Sequence, residues 1–147
     1  MKEYGVPVEI LLIEDNEGDI VLTKKAFERE GYPCRISVCR NGYEALDHLY
    51  RRGKYGEALR PDLIIMDLNM PGISGQETLT EIKSDRSLAS IPVIILTTSE
   101  SQEDVQTCYQ LQASSYIRKP VDFHEFREVI HRLQDYWFRV VKFPQQA

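Results

Sequence analysis

Cysteine is scarce in this chain: its 147 residues include three, Cys34, Cys39 and Cys108, an odd number with no C-x-x-C pair. That excludes a disulfide scaffold and a cysteine-based zinc or dithiol site, and buried free thiols in a reducing, cytoplasmic compartment are expected instead. Long apolar runs are missing as well. No stretch approaches the roughly 18 to 20 residues of a membrane span, and Met1 to Gly5 leads into no signal-peptide pattern, so neither membrane insertion nor secretion is expected. Positive charge is not in excess, because 18 Lys and Arg face 23 Asp and Glu for a net −5. A nucleic-acid binder needs a clustered basic face, which Arg51-Arg52-Gly53-Lys54 is too short to supply. His48, His124 and His131 lack metal-ligand spacing and read as surface or partly buried helix residues. No repeat, low-complexity tract or linker divides the chain, so residues 1–147 are expected to form one domain.

What the chain does contain is a regular alternation of short apolar runs and helical spacing, punctuated by Pro and Gly. Val8 to Ile13 reads as a buried strand, followed by a helix capped by Asn16, with Ile20, Val21, Lys24 and Phe27 on one face. Gly31 and Pro33 end that helix. Cys34 to Cys39 alternates apolar and polar residues, as a half-covered edge strand does. Tyr43 to Arg52 follows as a helix with Ala45, Leu46 and Leu49 inward. Leu63-Ile64-Ile65-Met66 and Val93-Ile94-Ile95-Leu96 are apolar at every position, which places them centrally in a parallel sheet. Between them lies a helix from Gly75 to Asp85, with Leu79 and Ile82 inward. Ser101 to Gln112 sets Val105, Cys108 and Tyr109 on one helical face, and Ser115 to Arg118 is a mixed-polarity edge strand. A last helix begins near Phe123, with Phe126, Val129, Ile130, Leu133, Trp137 and Val140 facing the core. Five strands alternating with five helices specify a doubly wound α/β domain, and the polar second and fifth strands give a flavodoxin-like order, 2-1-3-4-5.

Ligands of such sheets bind beyond the carboxyl ends of the strands. Those ends carry Glu14-Asp15, Asp67, Thr97-Thr98 and Lys119. Three carboxylates in one crevice repel unless a cation shares it, and all-oxygen ligands in small number suit Mg²⁺. Asp15 taken alone serves equally as a helix cap, and Lys119 taken alone as a surface lysine. Asp67 precedes Leu68-Asn69-Met70-Pro71-Gly72, too rich in turn residues to extend the strand, so its carboxylate is expected at the tip. A carboxylate beside a divalent metal and an ammonium can attack a phosphoryl group and form an acyl phosphate.

In these residues the chain resembles the receiver domain of bacterial two-component response regulators, across about residues 8–135. The resemblance implies that Asp67 accepts a phosphoryl group from a sensor histidine kinase, with Mg²⁺ bound by Asp15, Asp67 and the Asn69 carbonyl, and Glu14 acting through water. Glu14 stands where that family more often has a second aspartate. Thr97 and Lys119 would hold the phosphoryl oxygens, and Tyr116 would be the aromatic switch residue that moves inward once Thr97 is engaged. Such a protein is a signalling switch rather than a turnover enzyme. The aromatic ending Tyr136 to Pro144, with Gly53 to Pro61, is similar to small stand-alone regulators of cyanobacterial phytochrome kinases. On a helical stripe of Phe126, Leu133, Trp137 and Val140, Phe138 lies about 100° aside, which predicts a second apolar surface and a homodimer through the last helix and tail. Two other readings compete. A haloacid-dehalogenase-type phosphatase also uses a strand-end aspartate, but on the first motif strand and with an acid two residues on, where this chain has Asn69. A phosphorylation-independent adaptor would not need the full acidic and basic set.

Overall fold

The protein is described by a computed structural model over residues 6–144; Met1 to Gly5 lie outside the described residues. Five parallel strands, β1 (Val8–Ile13), β2 (Cys34–Cys39), β3 (Leu63–Met66), β4 (Val93–Thr97) and β5 (Ser115–Arg118), form one sheet in the order β2-β1-β3-β4-β5. The two wholly apolar strands are internal, as their composition requires, and Ile65 lies opposite Leu12 on one side and Ile94 on the other. Side chains alternate between the two sheet faces. Leu11, Ile13, Ile64, Met66, Val93 and Ile95 face one core with Leu46, Leu79, Ile82 and Cys108. Val8, Ile10, Leu12, Leu63, Ile65, Ile94 and Leu96 face the other, with Ile20, Phe27, Phe126, Ile130 and Phe138. Two of the free thiols, Cys39 and Cys108, are buried, and Cys34 is half-buried.

The helices are α1 (Glu17–Phe27), α2 (Gly42–Leu49), α3 (Gly75–Ser84), α4 (Gln102–Gln110) and α5 (Phe123–Arg139). Each begins on a side-chain cap, Asn16, Asn41, Ser74, Ser101 and Asp122 respectively, whose oxygen accepts an amide from the first turn. Asn16, not Asp15, therefore caps α1, and Asp15 is left for other work. Among the described residues no helix is long and apolar enough to cross a membrane.

Several inward faces differ from the sequence expectation. On α1 the buried set is Ile20, Thr23, Ala26 and Phe27, while Val21 and Lys24 are exposed. Thr23 can turn inward because its hydroxyl donates to the Asp19 carbonyl at 2.6 Å, which satisfies its one polar group. Helix α2 stops at Leu49, three residues early, and Arg51 takes a positive φ of 55° before a short 3₁₀ turn at Gly53–Tyr55. On α4 only Cys108 is buried; Val105 is half-buried and Tyr109 exposed.

The largest difference concerns the end of α5. Phe138 is buried, stacked 6.4 Å from the Phe27 ring and tilted against that of Tyr32 at 6.1 Å, whereas Val140 is 70% exposed. The stripe drifts because the helix contacts α1 and the α1–β2 turn, which wrap around to meet Phe138. Gln134 anchors that contact, donating to the Phe27 carbonyl at 2.8 Å, and Arg139 donates to the Gly31 carbonyl at 2.7 Å. Beyond the helix, Phe143 folds back and stacks on Trp137 at 6.0 Å. Phe138 thus closes the core and does not create a second apolar surface. Phe138→Ala should cost about 3–5 kcal/mol in urea unfolding, and Val140→Ala no more than about 0.5 kcal/mol.

His48 is also more buried than its spacing suggested. Its ring lies 5.3 Å from that of Tyr55, its Nδ1 has no hydrogen-bond partner, and burial lowers its pKa from the ordinary 6.5. In the unfolded chain this imidazole takes a proton near pH 6.5 while the native one takes it only at lower pH, so the unfolded state gains protons first and stability falls as pH drops through that value. Between pH 7 and 5 the wild type should lose more unfolding free energy than His48→Phe, in denaturant titrations at matched salt.

Candidate functional site

Four loops leave the carboxyl ends of the strands together, and the sheet still grips the residues that leave it. Glu14 donates its amide to the Cys39 carbonyl at 2.9 Å, Asp67 to Ile13 at 3.0 Å and Lys119 to Thr97 at 2.7 Å. Each functional side chain therefore rides on backbone held by one more rung of the ladder. Glu14, Asp67, Thr97 and Lys119 are all buried, whereas Asp15 is exposed.

Lys119 is the hub. Its Nζ donates to Glu14 Oε1, to Asp19 Oδ2 at 2.9 Å and to Asp67 Oδ2 at 3.1 Å. Burial alone would release its proton, but the bonds to Glu14 and Asp19 outweigh it and hold the ammonium charged above its ordinary range. Burial acts oppositely on Glu14 and pushes its carboxyl up to about 7, against the pull of Lys119. Its second oxygen accepts the amides of Asp15 and Asn16 at 3.1 and 3.2 Å. Burial also disfavours an ionised Asp67, yet the Lys119 ammonium and the Asn69 amide, which donate to it, prevail and keep its pKa below the ordinary carboxylate value. Asp67 is thus an anion at neutral pH.

Oxygens of Glu14, Asp15 and Asp67 all lie within 4.8 Å of one another. Three hard carboxylate donors at that spacing fit a divalent cation, and the exposure of Asp15 leaves room for retained water. Among the described residues this is the group of acidic, His or Cys side chains arranged to hold a metal.

The loop after Asp67 is shaped to leave its carboxylate open. The Asn69 amide donates to Asp67 Oδ1 at 3.3 Å, Gly72 turns with φ 82°, and the Gly75 amide returns to the Leu68 carbonyl at 3.1 Å. A Cβ on Gly75 would sit 2.7 Å from Leu68 Cα and 2.8 Å from the Asp67 carbonyl oxygen, so only glycine lets α3 start this close to the site.

Across the crevice, the Thr97 Oγ1 is fully buried and has no hydrogen-bond partner. An orphaned buried hydroxyl beside an ionised carboxylate is what an incoming oxyanion would satisfy. Two residues on, the Ser99 carbonyl accepts the Tyr116 hydroxyl at 3.0 Å, and the Ser99 hydroxyl donates to Asp104 Oδ2 at 2.6 Å. Asp104 Oδ1 in turn accepts from Gln76 Nε2 on α3 at 3.1 Å. Tyr116 is half-buried against the core and already tied to the loop that follows Thr97.

The structure brings together Glu14, Asp15, Asp67, Thr97 and Lys119, and places Asn69 at the rim with an exposed side chain. Asp19 was missed by the sequence reading. It lies in the first turn of α1, where the helix dipole favours any acid, so nothing in the sequence distinguished it from an ordinary helix start.

The response regulator receiver domain model matches residues 10–131 of the chain. The chain is 38% identical to the probable methanogenesis regulatory protein FilR2 of Methanothrix harundinacea over 96% of its own length and 90% of the relative's. It is 32% identical to response regulator Rcp1 of Synechocystis sp., covering 97% of each chain, and its fold matches the Mn²⁺-bound form of Rcp1 with a TM-score of 0.90 over 95% of this chain and 100% of that one. The phosphorylated cyanobacterial phytochrome response regulator RcpA is 36% identical, with a TM-score of 0.92 over 95% of this chain and 100% of that chain. These likenesses give no support to a haloacid-dehalogenase phosphatase, whose nucleophile strand and neighbouring acid are also absent at Asp67 and Asn69. With one strand-end aspartate, its lysine, its threonine and an acidic pair assembled on a 2-1-3-4-5 sheet, the chain belongs to the response regulator receiver domain family of two-component signalling.

Proposed function

We propose that Asp67 is the phosphoryl acceptor of this regulator and that its donor is a phosphohistidine of a sensor kinase. The observation that carries the reading is the ionised, buried Asp67 carboxylate set between the Lys119 ammonium and the orphaned Thr97 hydroxyl. A carboxylate oxygen of Asp67 forms the new P–O bond as the P–N bond of phosphohistidine breaks, and the electron pair leaves on the imidazole nitrogen. Lys119 and Thr97 donate to the phosphoryl oxygens as charge gathers on them. Mg²⁺ is the expected cation, held by Asp15, Asp67, the Asn69 carbonyl and, through water, Glu14. When bound it would neutralise the phosphoryl oxygens and screen the carboxylates from one another. Hydrolysis of the acyl phosphate needs a water to pass Asn69, whose neutral amide orients but does not deprotonate it, so dephosphorylation is slow beside a phosphatase's turnover. The protein is in that sense a switch and not an enzyme with its own substrate.

Output follows from Thr97. Once its hydroxyl engages the phosphoryl group, the loop through Ser99 shifts and Tyr116 follows it, reshaping the face made by α4, β5 and α5. Likeness to the cyanobacterial phytochrome response regulator RcpA supports a bacterial phytochrome as the partner kinase; a cytoplasmic pathway without nucleic acid is part of the same proposal. Self-association through α5 and its tail would use Tyr136 and Val140, which are 55% and 70% exposed one helical turn apart, in place of the buried Phe138.

Incubation with a small acyl-phosphate donor and Mg²⁺ should add one base-labile phosphoryl group by intact mass, and none to Asp67→Asn. Thr97→Ala should still bind Mg²⁺ but accept the group about a hundredfold to a thousandfold more slowly, the scale of one lost oxyanion donor. Labelling of Asp67→Asn to the wild-type level would remove the assignment. For assembly, sedimentation at high micromolar concentration should show dimers for wild type and monomers for Tyr136→Glu combined with Val140→Glu; monomers in both, phosphorylated or not, would leave α5 as a core-closing helix alone.

A further inference from the structure

An ammonium has three N–H donors, and on Lys119 all three are spent on carboxylates. The three acceptors are not equivalent. The side chains of Glu14 and Asp67 are 4% and 10% exposed, so either one abandoned by Lys119 would be left buried and unpaired. Asp19 is 29% exposed and stands in the first turn of α1, where water and the helix N-terminus stabilise its charge without Lys119. Letting go of Asp19 is therefore the least costly release open to the ammonium.

We infer that Asp19 is a positioning residue that parks one donor of Lys119 before phosphorylation and yields it afterwards. The inference rests on the reading of Asp67 as acceptor. When a phosphoryl group joins Asp67, the Lys119 donor that served Asp67 Oδ2 transfers to a phosphoryl oxygen. The group carries more charge than one donor can answer, and the second donor comes from Asp19. No covalent bond changes in this exchange; two N–H···O bonds pass to the phosphoryl group, one from the Asp67 carboxylate and one from that of Asp19, and Asp19 rehydrates. Asp19 thereby opposes phosphorylation by the strength of one partly exposed ion pair, and sets how long the phosphoryl state persists. Glu17, in the same turn, pairs instead with Arg40 and has no such role.

The test uses the full chain with beryllofluoride as a phosphoryl mimic at saturating Mg²⁺, with affinity read by calorimetry. Asp19→Asn should bind the mimic about fivefold more tightly than wild type, the worth of one partly exposed pair. Asp19→Glu, which keeps a carboxylate, should stay within twofold of wild type. Glu17→Gln, the same charge change in the same helical turn, should do likewise. Equal affinity in Asp19→Asn and Glu17→Gln would overturn the inference, since the effect would then be plain charge, and so would weaker binding by Asp19→Asn. Melting temperatures of the three variants confirm that each is folded. If wild type itself failed to bind the mimic, the Asp67 reading would fall and this inference with it; tight wild-type binding with no difference among the variants would remove only the role of Asp19.

Discussion

Glu14, Asp15, Asp19 and Asp67 lie around one strand-end crevice, and Lys119 donates to three of them. At separations of a few ångströms, in surroundings drier than water, like charges repel by several kcal/mol at an effective dielectric near 20. A buried ammonium that reaches three of them makes the arrangement tolerable and holds β1, β3 and β5 in register at their carboxyl ends. Because Glu14 and Asp67 are buried, removing Lys119 would leave two carboxylates without a counter-ion. Rigid backbone supports this balance, since Glu14, Asp67 and Lys119 each remain hydrogen-bonded to a neighbouring strand.

The same constraint explains the site's polarity. Lys119 occupies the lysine side of the crevice and Thr97 the hydroxyl side, leaving Asp67 between two donors, one spent and one free. The open face is the acidic one, where Asp15 meets solvent and a divalent cation fits. Geometry thus divides the labour before any ligand arrives. Two residues after Thr97, Ser99 links to Tyr116 and, through Asp104, to Gln76, so α3, the β4–α4 loop and β5 share a hydrogen-bond network near this crevice.

Most of this was legible in the sequence where the physics is local or periodic. Four wholly apolar residues in β3 and β4 have no other place than the sheet interior, and the residues that follow each strand must emerge at one end of a parallel sheet. The starts of α1, α3 and α5 followed too, the first from its Asn16 cap, whereas α2 ended three residues before the expected Arg52. What escaped depends on tertiary contact. The burial of Phe138 follows from Phe27 and Tyr32, more than a hundred residues away in sequence, which pull the end of α5 off its simple stripe. Thr23 took the place expected for Val21 because a backbone carbonyl was available to its hydroxyl. Asp19 was hidden by an adequate local explanation, its helix-start position, while its bond to Lys119 spans a hundred residues.

If Lys119 is the internal cation that this site relies on, a divalent ion and Lys119 answer the same electrostatic need. The direct measurement is the melting temperature of wild type and Lys119→Met across a Mg²⁺ titration. Lys119→Met should melt lower without the ion and gain more from it than wild type does, as expected when a ligand binds the native state and relieves repulsion there. An equal or smaller gain in Lys119→Met would show that the ammonium is not what holds these carboxylates together.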